Sequence, residues 1–280
     1  MSSEKHFNVN TGRIKHYPTI LKAVHLVVLY IFIQTIVDFP LALFDYYNGT
    51  DYLYNPIKKI ILGVGSPAFI FYYAYRKAKV PLKELFPVRK FNILLFVPIF
   101  FFIWGAQNLI GEVNILIDKI IPPPSWFWEL FNKIFESDYG VYGAILKVAI
   151  IAPIIEELIF RGVIMHGLMK NYSGTTAVVV SALMFALFHM NPWQFPATFV
   201  LGLLLGFLML KKHNILLCIG GHAINNGIAL FTMYNWEEIK SVPMLNSKTS
   251  LILISILVSL VSFVIIYISS NQNQELQKKQ

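Results

Sequence analysis

The sequence predicts an all-α fold, a polytopic transmembrane helical bundle of about eight spans, and three observations carry that prediction. Of its 280 residues 56% are hydrophobic and only 14% are charged. Several apolar runs match the roughly 20 residues a helix needs to cross a hydrocarbon core of about 30 Å. The 23 lysines and arginines, which against 15 acidic residues give a formal net charge of +8, gather at the ends of these runs. That is the pattern of cytoplasmic loops on a membrane protein rather than of a nucleic-acid surface. Membrane lipids are expected as partners, and nucleic acid is not.

In chain order the spans fall at about 18–44, 57–76, 92–111, 141–169, 174–190, 196–211, 213–234 and 249–269, separated by charged or Pro/Gly breaks. A polar tail, residues 1–17, precedes the first run, which continues past twenty residues without a small-residue cleavage site. It is therefore expected to remain as a span rather than be removed as a signal. Lys5, Arg13 and Lys15 precede the first span, six basic residues from Arg76 to Lys90 lie between the second and third, and Lys211 and Lys212 end the sixth. The alternate loops carry Asp45 and Asp51, then Glu129, Glu136 and Asp138, then Glu237 and Glu238. The basic excess thus falls on one side throughout, and both termini are predicted to be cytoplasmic. The stretch PPPSWFWELFNKIF, 122–135, is too short and too charged to span. Its aromatic residues suit an interfacial helix, or more specifically a gate over a cleft. The single cysteine, Cys218, can form no internal disulfide and is expected to be a small buried apolar group.

Charges inside the fourth span need a reason, because each costs at least a few kcal/mol at membrane depth. In APIIEELIFRG, 152–162, Glu157 and Arg161 are four residues apart and so share a helix face, whereas Glu156 lies about 100° round from Glu157. The economical arrangement pairs Glu157 with Arg161 and leaves Glu156 available. Pro153 removes the amide that would bond the Ala149 carbonyl in an α-helix, which favours a kink or hydrated break beside Glu156. The fifth span ends FALFHMNP, with Phe185 and His189, and the seventh contains GGHAINN, with His222 and Asn226 on one face. A single intramembrane ion pair or histidine is commonly mere packing, but here three neighbouring spans each carry unexplained polarity. Counted from their cytoplasmic ends, Glu156, His189 and Asn226 lie roughly 20 Å deep and His222 roughly 13 Å. A carboxylate, two imidazoles and a carboxamide at one level supply a general base and oxyanion donors for water attack on an amide. Cys218, His25, His166, Asp38 and Glu112 are read as packing or solvated groups.

The EExxxR pattern of Glu156, Glu157 and Arg161, the FxxxH of Phe185 and His189, and the HxxxN of His222 and Asn226 together resemble the CPBP family of intramembrane proteases. That family unites eukaryotic type II CaaX prenyl endopeptidases with bacterial proteins linked to bacteriocin maturation and self-immunity, often labelled Abi. The resemblance covers about 141–234 as a catalytic membrane core, leaving 18–140 as an N-terminal transmembrane region with the interfacial segment, and 235–280 as a final span and polar tail. It implies a glutamate-dependent intramembrane endopeptidase acting on a peptide or lipid-anchored protein substrate. In that scheme Glu156 with His189 activates a water, His222 and Asn226 stabilise the oxyanion, and Glu157, Arg161 and Phe185 support them. No cofactor is favoured. Were zinc used instead, Glu156, His189 and His222 would be its two-His-one-carboxylate ligands. The alternative is a non-catalytic immunity or peptide-binding membrane protein of the same fold.

Overall fold

The computed structural model describes residues 16–52, 65–129, 140–241 and 247–278, and among these there is no β-strand. Each of the eight expected runs contains a helix: α1 (Ile20–Asn48), α2 (Gly65–Ala78), α3 (Phe96–Ile120), α4 (140–171), α5 (Gly174–Phe188), α6 (Phe195–Lys212), α7 (Ile215–Tyr234) and α8 (Lys248–Lys278). Five of them are long and apolar enough to cross a membrane: α1, α3 with its entry turn (Ile93–Ile120), α6, α7 and the Lys248–Ser269 part of α8. Helix α5 is apolar but shorter. The expected residues 57–64 of the second span lie outside the described residues, as do 1–15 of the polar tail and 130–135 of the aromatic stretch.

Helix α4 departs from the plain α-helix expected from its sequence. It is α-helical at Gly140–Ala144, Ala152–Glu157 and Met165–Asn171, and π-helical at Ile145–Ile151 and Leu158–Ile164. The register change adds to the carbonyls that Pro153 orphans. The Ala152 N–H bonds the Lys147 carbonyl five residues back, so the next donor in the same register would be the nitrogen of Pro153, which has no hydrogen. The Val148 carbonyl therefore loses its helical partner, in addition to the Ala149 carbonyl that Pro153 cannot serve in an α register.

Small residues bring the helices close enough to share polar groups. A Cβ on Gly202 of α6 would lie 2.9 Å from the Ala182 Cα of α5, so these two backbones nearly touch. Gly220 of α7 accommodates the Phe96 ring, and Gly105 of α3 accommodates Ser255 and Ser259 of α8. Cys218 is fully buried, its Sγ 3.4 Å from the Leu205 carbonyl oxygen, as a small core residue would be.

The segments with the basic excess meet at one end of the bundle. The Asn171 side chain accepts from the His16 amide at 3.0 Å and donates to the His16 carbonyl at 2.8 Å. Lys170 binds Glu84 at 3.0 Å, and this hydrogen bond holds the Glu84 carboxyl below the usual carboxylate range. Asn214 donates to the Arg89 carbonyl at 2.5 Å, and the Ile215 amide donates to the Pro87 carbonyl at 2.9 Å. Away from that cluster, Phe127 is buried against the Trp193 ring at 4.5 Å, while its neighbours Trp126 and Trp128 are exposed. The Trp193 indole donates to the Ile121 carbonyl at 2.8 Å, which ties the aromatic stretch to the loop after His189.

Candidate functional site

Glu157 and Arg161 sit on the same face of α4, as their spacing predicts, and both are fully buried. The Arg161 Nη1 donates to Glu157 Oε1 at 2.8 Å, and Nη2 donates to the Gly202 carbonyl at 3.2 Å. The guanidinium also lies 4.6 Å above the centre of the Phe185 ring. A buried charge retained in this way is held by an opposite charge, a carbonyl dipole and an aromatic face together.

The same Glu157 oxygen faces a second partner across the bundle: His222 Nδ1 of α7 lies 2.9 Å from Glu157 Oε1. A carboxylate can only accept, so Nδ1 carries the hydrogen and Nε2 is the nitrogen left free. That Nε2 points toward Glu156, 3.9 Å from Oε2. The two adjacent acids therefore have different environments. Glu157 is saturated on Oε1 by an arginine and a histidine. Glu156 keeps 16% of its side chain exposed, and its Oε2 is buried with no hydrogen-bond donor on it. Glu157 Oε2 and Arg161 Nε are likewise without partners.

His189 closes α5, where its Nδ1 lies 2.8 Å from the Phe185 carbonyl oxygen. Because that oxygen can only accept, His189 is protonated on Nδ1 and presents Nε2. The structure does not join His189 to Glu156 by a hydrogen bond; Phe185 is what links it to the rest of the site. Its buried ring stands edge-on to His189 at 5.0 Å and to His222 at 5.5 Å. The phenylalanine of the FxxxH pattern thus separates and orients both imidazoles. Asn226, one turn beyond His222, donates through Nδ2 to the orphaned Val148 carbonyl at 2.8 Å.

Three residues outside the motifs complete the surroundings. Tyr30 of α1 is buried, stacks on Phe188 at 4.9 Å and lies within electrostatic reach of both Glu156 and Asp38. Gln107 of α3 and Asn225 of α7 are bonded to one another beside Asn226. The sequence signal for Gln107 was present, an amide within an apolar run, but nothing in the sequence names its partner. A cavity of about 390 Å³ lies between α1 and the end of α5, lined by Ile31, Gln34, Asp38 and Phe39 together with Phe188 and Met190, the two residues that flank His189.

The donor set decides whether a metal fits. Among the described residues no group of three or more His, Cys, Asp or Glu side chains is arranged to hold a metal ion. His222 and His189 each keep Nε2 free, their Nδ1 being bonded to Glu157 and Phe185, but of the three groups only Glu156 and His222 are paired, at 3.9 Å. The observed arrangement does not bring Glu156, His189 and His222 together around one zinc.

An all-α bundle with several membrane-length apolar helices and a buried cluster of carboxylates, arginine and imidazoles defines an integral membrane protein with a polar core. Residues 139–228 match the family model for type II CAAX prenyl endopeptidases, Rce1-like, about a third of the chain that runs from the start of α4 into α7. This segment holds all three motifs, and the match agrees with the resemblance they carry. No curated protein and no solved structure matches the chain.

Proposed function

We propose that the protein is an intramembrane endopeptidase that hydrolyses a peptide bond in a membrane-associated substrate, with Glu156 activating the water. The single observation that supports this most is the asymmetry of the two adjacent acids. Glu157 is fully buried and bonded through Oε1 to both Arg161 and His222, while Glu156 is partly exposed, carries no hydrogen bond and has His222 Nε2 near it, at 3.9 Å. Such a group is costly to keep unless something other than the fold uses it.

In the proposed reaction a water is held by Glu156 and by His189 Nε2. Glu156 removes its proton as the water oxygen bonds the scissile carbonyl carbon. The developing oxyanion is stabilised by the Asn226 carboxamide and by His222 Nε2 when that ring carries a second proton. The C–N bond then breaks, and the proton held by Glu156 passes to the leaving amine. Glu157 fixes the His222 ring, and Arg161 balances the charge of Glu157. Both acids are part of the machinery, but only Glu156 meets the water.

The family match makes prenylated CaaX peptides the first substrates to test. The cavity beside His189, walled mainly by apolar side chains, supports a substrate with an apolar group near the cut. The test is incubation of the purified protein with a prenylated peptide and, separately, with a membrane protein fraction whose new peptide termini are mapped. Termini produced by wild type and absent with Glu156→Ala support the reading. Identical termini with both proteins, or none with either, would leave a non-catalytic peptide-binding role in its place.

A further inference from the structure

Gln107 lies in α3, outside the matched segment, and reaches across to α7 in a way that packing alone does not require. Its Nε2 donates to the Asn225 side-chain oxygen at 2.8 Å and to the Asn225 backbone carbonyl at 2.9 Å. Asn225 Nδ2 donates to Asn226 Oδ1 at 2.9 Å, and Asn226 Nδ2 donates to the Val148 carbonyl at 2.8 Å. Three carboxamides on two helices thus end on a carbonyl that Pro153 orphans in a third.

The direction of this chain follows from its two ends. A carbonyl can only accept, so Asn226 must turn its NH2 group to Val148 and its oxygen to Asn225. Asn225 must then present NH2 to Asn226 and oxygen to Gln107, which must present NH2 in turn. Two backbone oxygens, that of Asn225 at the Gln107 end and that of Val148 at the Asn226 end, fix the polarity of the three side chains together. A carboxamide has two N–H groups, and Val148 uses one of those on Asn226. The other is the group the hydrolytic reading gives to the oxyanion. Were Asn226 to flip, it would offer the developing negative charge an oxygen in place of a donor.

We propose that Gln107 and Asn225 are positioning residues that lock the Asn226 carboxamide with its NH2 edge toward the reacting carbonyl. This rests on the hydrolytic reading of the site. It makes the catalytic arrangement depend on α3, a helix that carries none of the three motifs. Removing the Gln107 donor lets Asn225 rotate and leaves Asn226 held at one end only. The loss falls on transition-state stabilisation rather than on substrate binding, and is bounded by the about 10²–10³ in rate that a lost oxyanion donor typically costs.

The test is steady-state kinetics of Gln107→Leu, Gln107→Met, Asn226→Ala and the double variant Gln107→Leu with Asn226→Ala, each checked for an unchanged thermal midpoint. The expected result is a fall in kcat of about tenfold or more for both Gln107 variants, with KM within about twofold. The double variant should be no slower than Asn226→Ala alone, because Gln107 acts only through Asn226. Gln107→Met serves where Gln107→Leu fails to fold. Wild-type kcat in a folded Gln107 variant, or losses that multiply in the double variant, would overturn the positioning role and leave the protease reading standing. No turnover by wild type on any substrate would remove both.

Discussion

Glu157 is the residue on which the site turns, since one of its oxygens serves both Arg161 and His222. Removing one partner of a fully buried ion pair typically costs about 3–5 kcal/mol, because the other charge stays behind without compensation. Arg161→Ala is therefore expected to lower the thermal midpoint and the activity together, and a variant as stable as wild type would show that the pair does not hold the bundle. Metal content is a separate residue-scale test. Highly purified active protein is expected to turn over with substoichiometric metal, as measured by elemental analysis against kcat. One tightly held zinc per active chain, lost and restored in step with activity, would contradict that expectation. Much at this scale was legible in the sequence. The four-residue spacing of Glu157 and Arg161, with Glu156 offset by about 100°, is enough to predict the pair and to set Glu156 outside it. The bond from His222 to Glu157 was not legible, because it joins helices 65 positions apart.

Among the elements, α4 is where expectation and structure part. An α-helical register makes Ala149 the carbonyl orphaned by Pro153, and the π segment at Ile145–Ile151 leaves the Val148 carbonyl without a helical donor as well. Hydrophobic periodicity over so few residues does not separate a π-turn from an α-turn, so this register could not be read from the sequence. Widened turns of this kind recur at functional sites, and here the Val148 carbonyl freed by the break is taken up by Asn226. Pro153→Ala supplies the missing N–H and so competes with Asn226 for Val148. The expected outcome is equal or higher thermal stability with kcat lowered about tenfold or more, in the direction of a lost oxyanion donor. Unchanged kcat would mean that Asn226 does not depend on the break. The helices themselves were legible, because long apolar runs bounded by charge leave few alternatives in a bilayer.

Across the whole molecule, the contacts of His16 with Asn171, Glu84 with Lys170, and Arg89 with Asn214 gather the basic segments at one end of the bundle. With the positive-inside rule, this supports a cytoplasmic placement of that end. In a Cys218→Ser background, a cysteine at Lys90 is expected to be shielded from an impermeant thiol reagent in intact cells, and one at Asn48 to be labelled. The reverse pattern would invert the topology. Whichever face the site opens to, the proposed hydrolysis rests on Glu156, the acid that carries no hydrogen bond. Because no hydrogen bond ends on Glu156 Oε2, Glu156→Gln removes the base without breaking a hydrogen bond. The most direct measurement is kcat for Glu156→Gln reconstituted in liposomes, beside thermal unfolding of the same preparation. A loss of about 10²–10⁴ in kcat, the usual contribution of a general base, with an unchanged unfolding midpoint is the expected result. Near-wild-type turnover by the folded variant would contradict the assignment of Glu156 as the group that activates water.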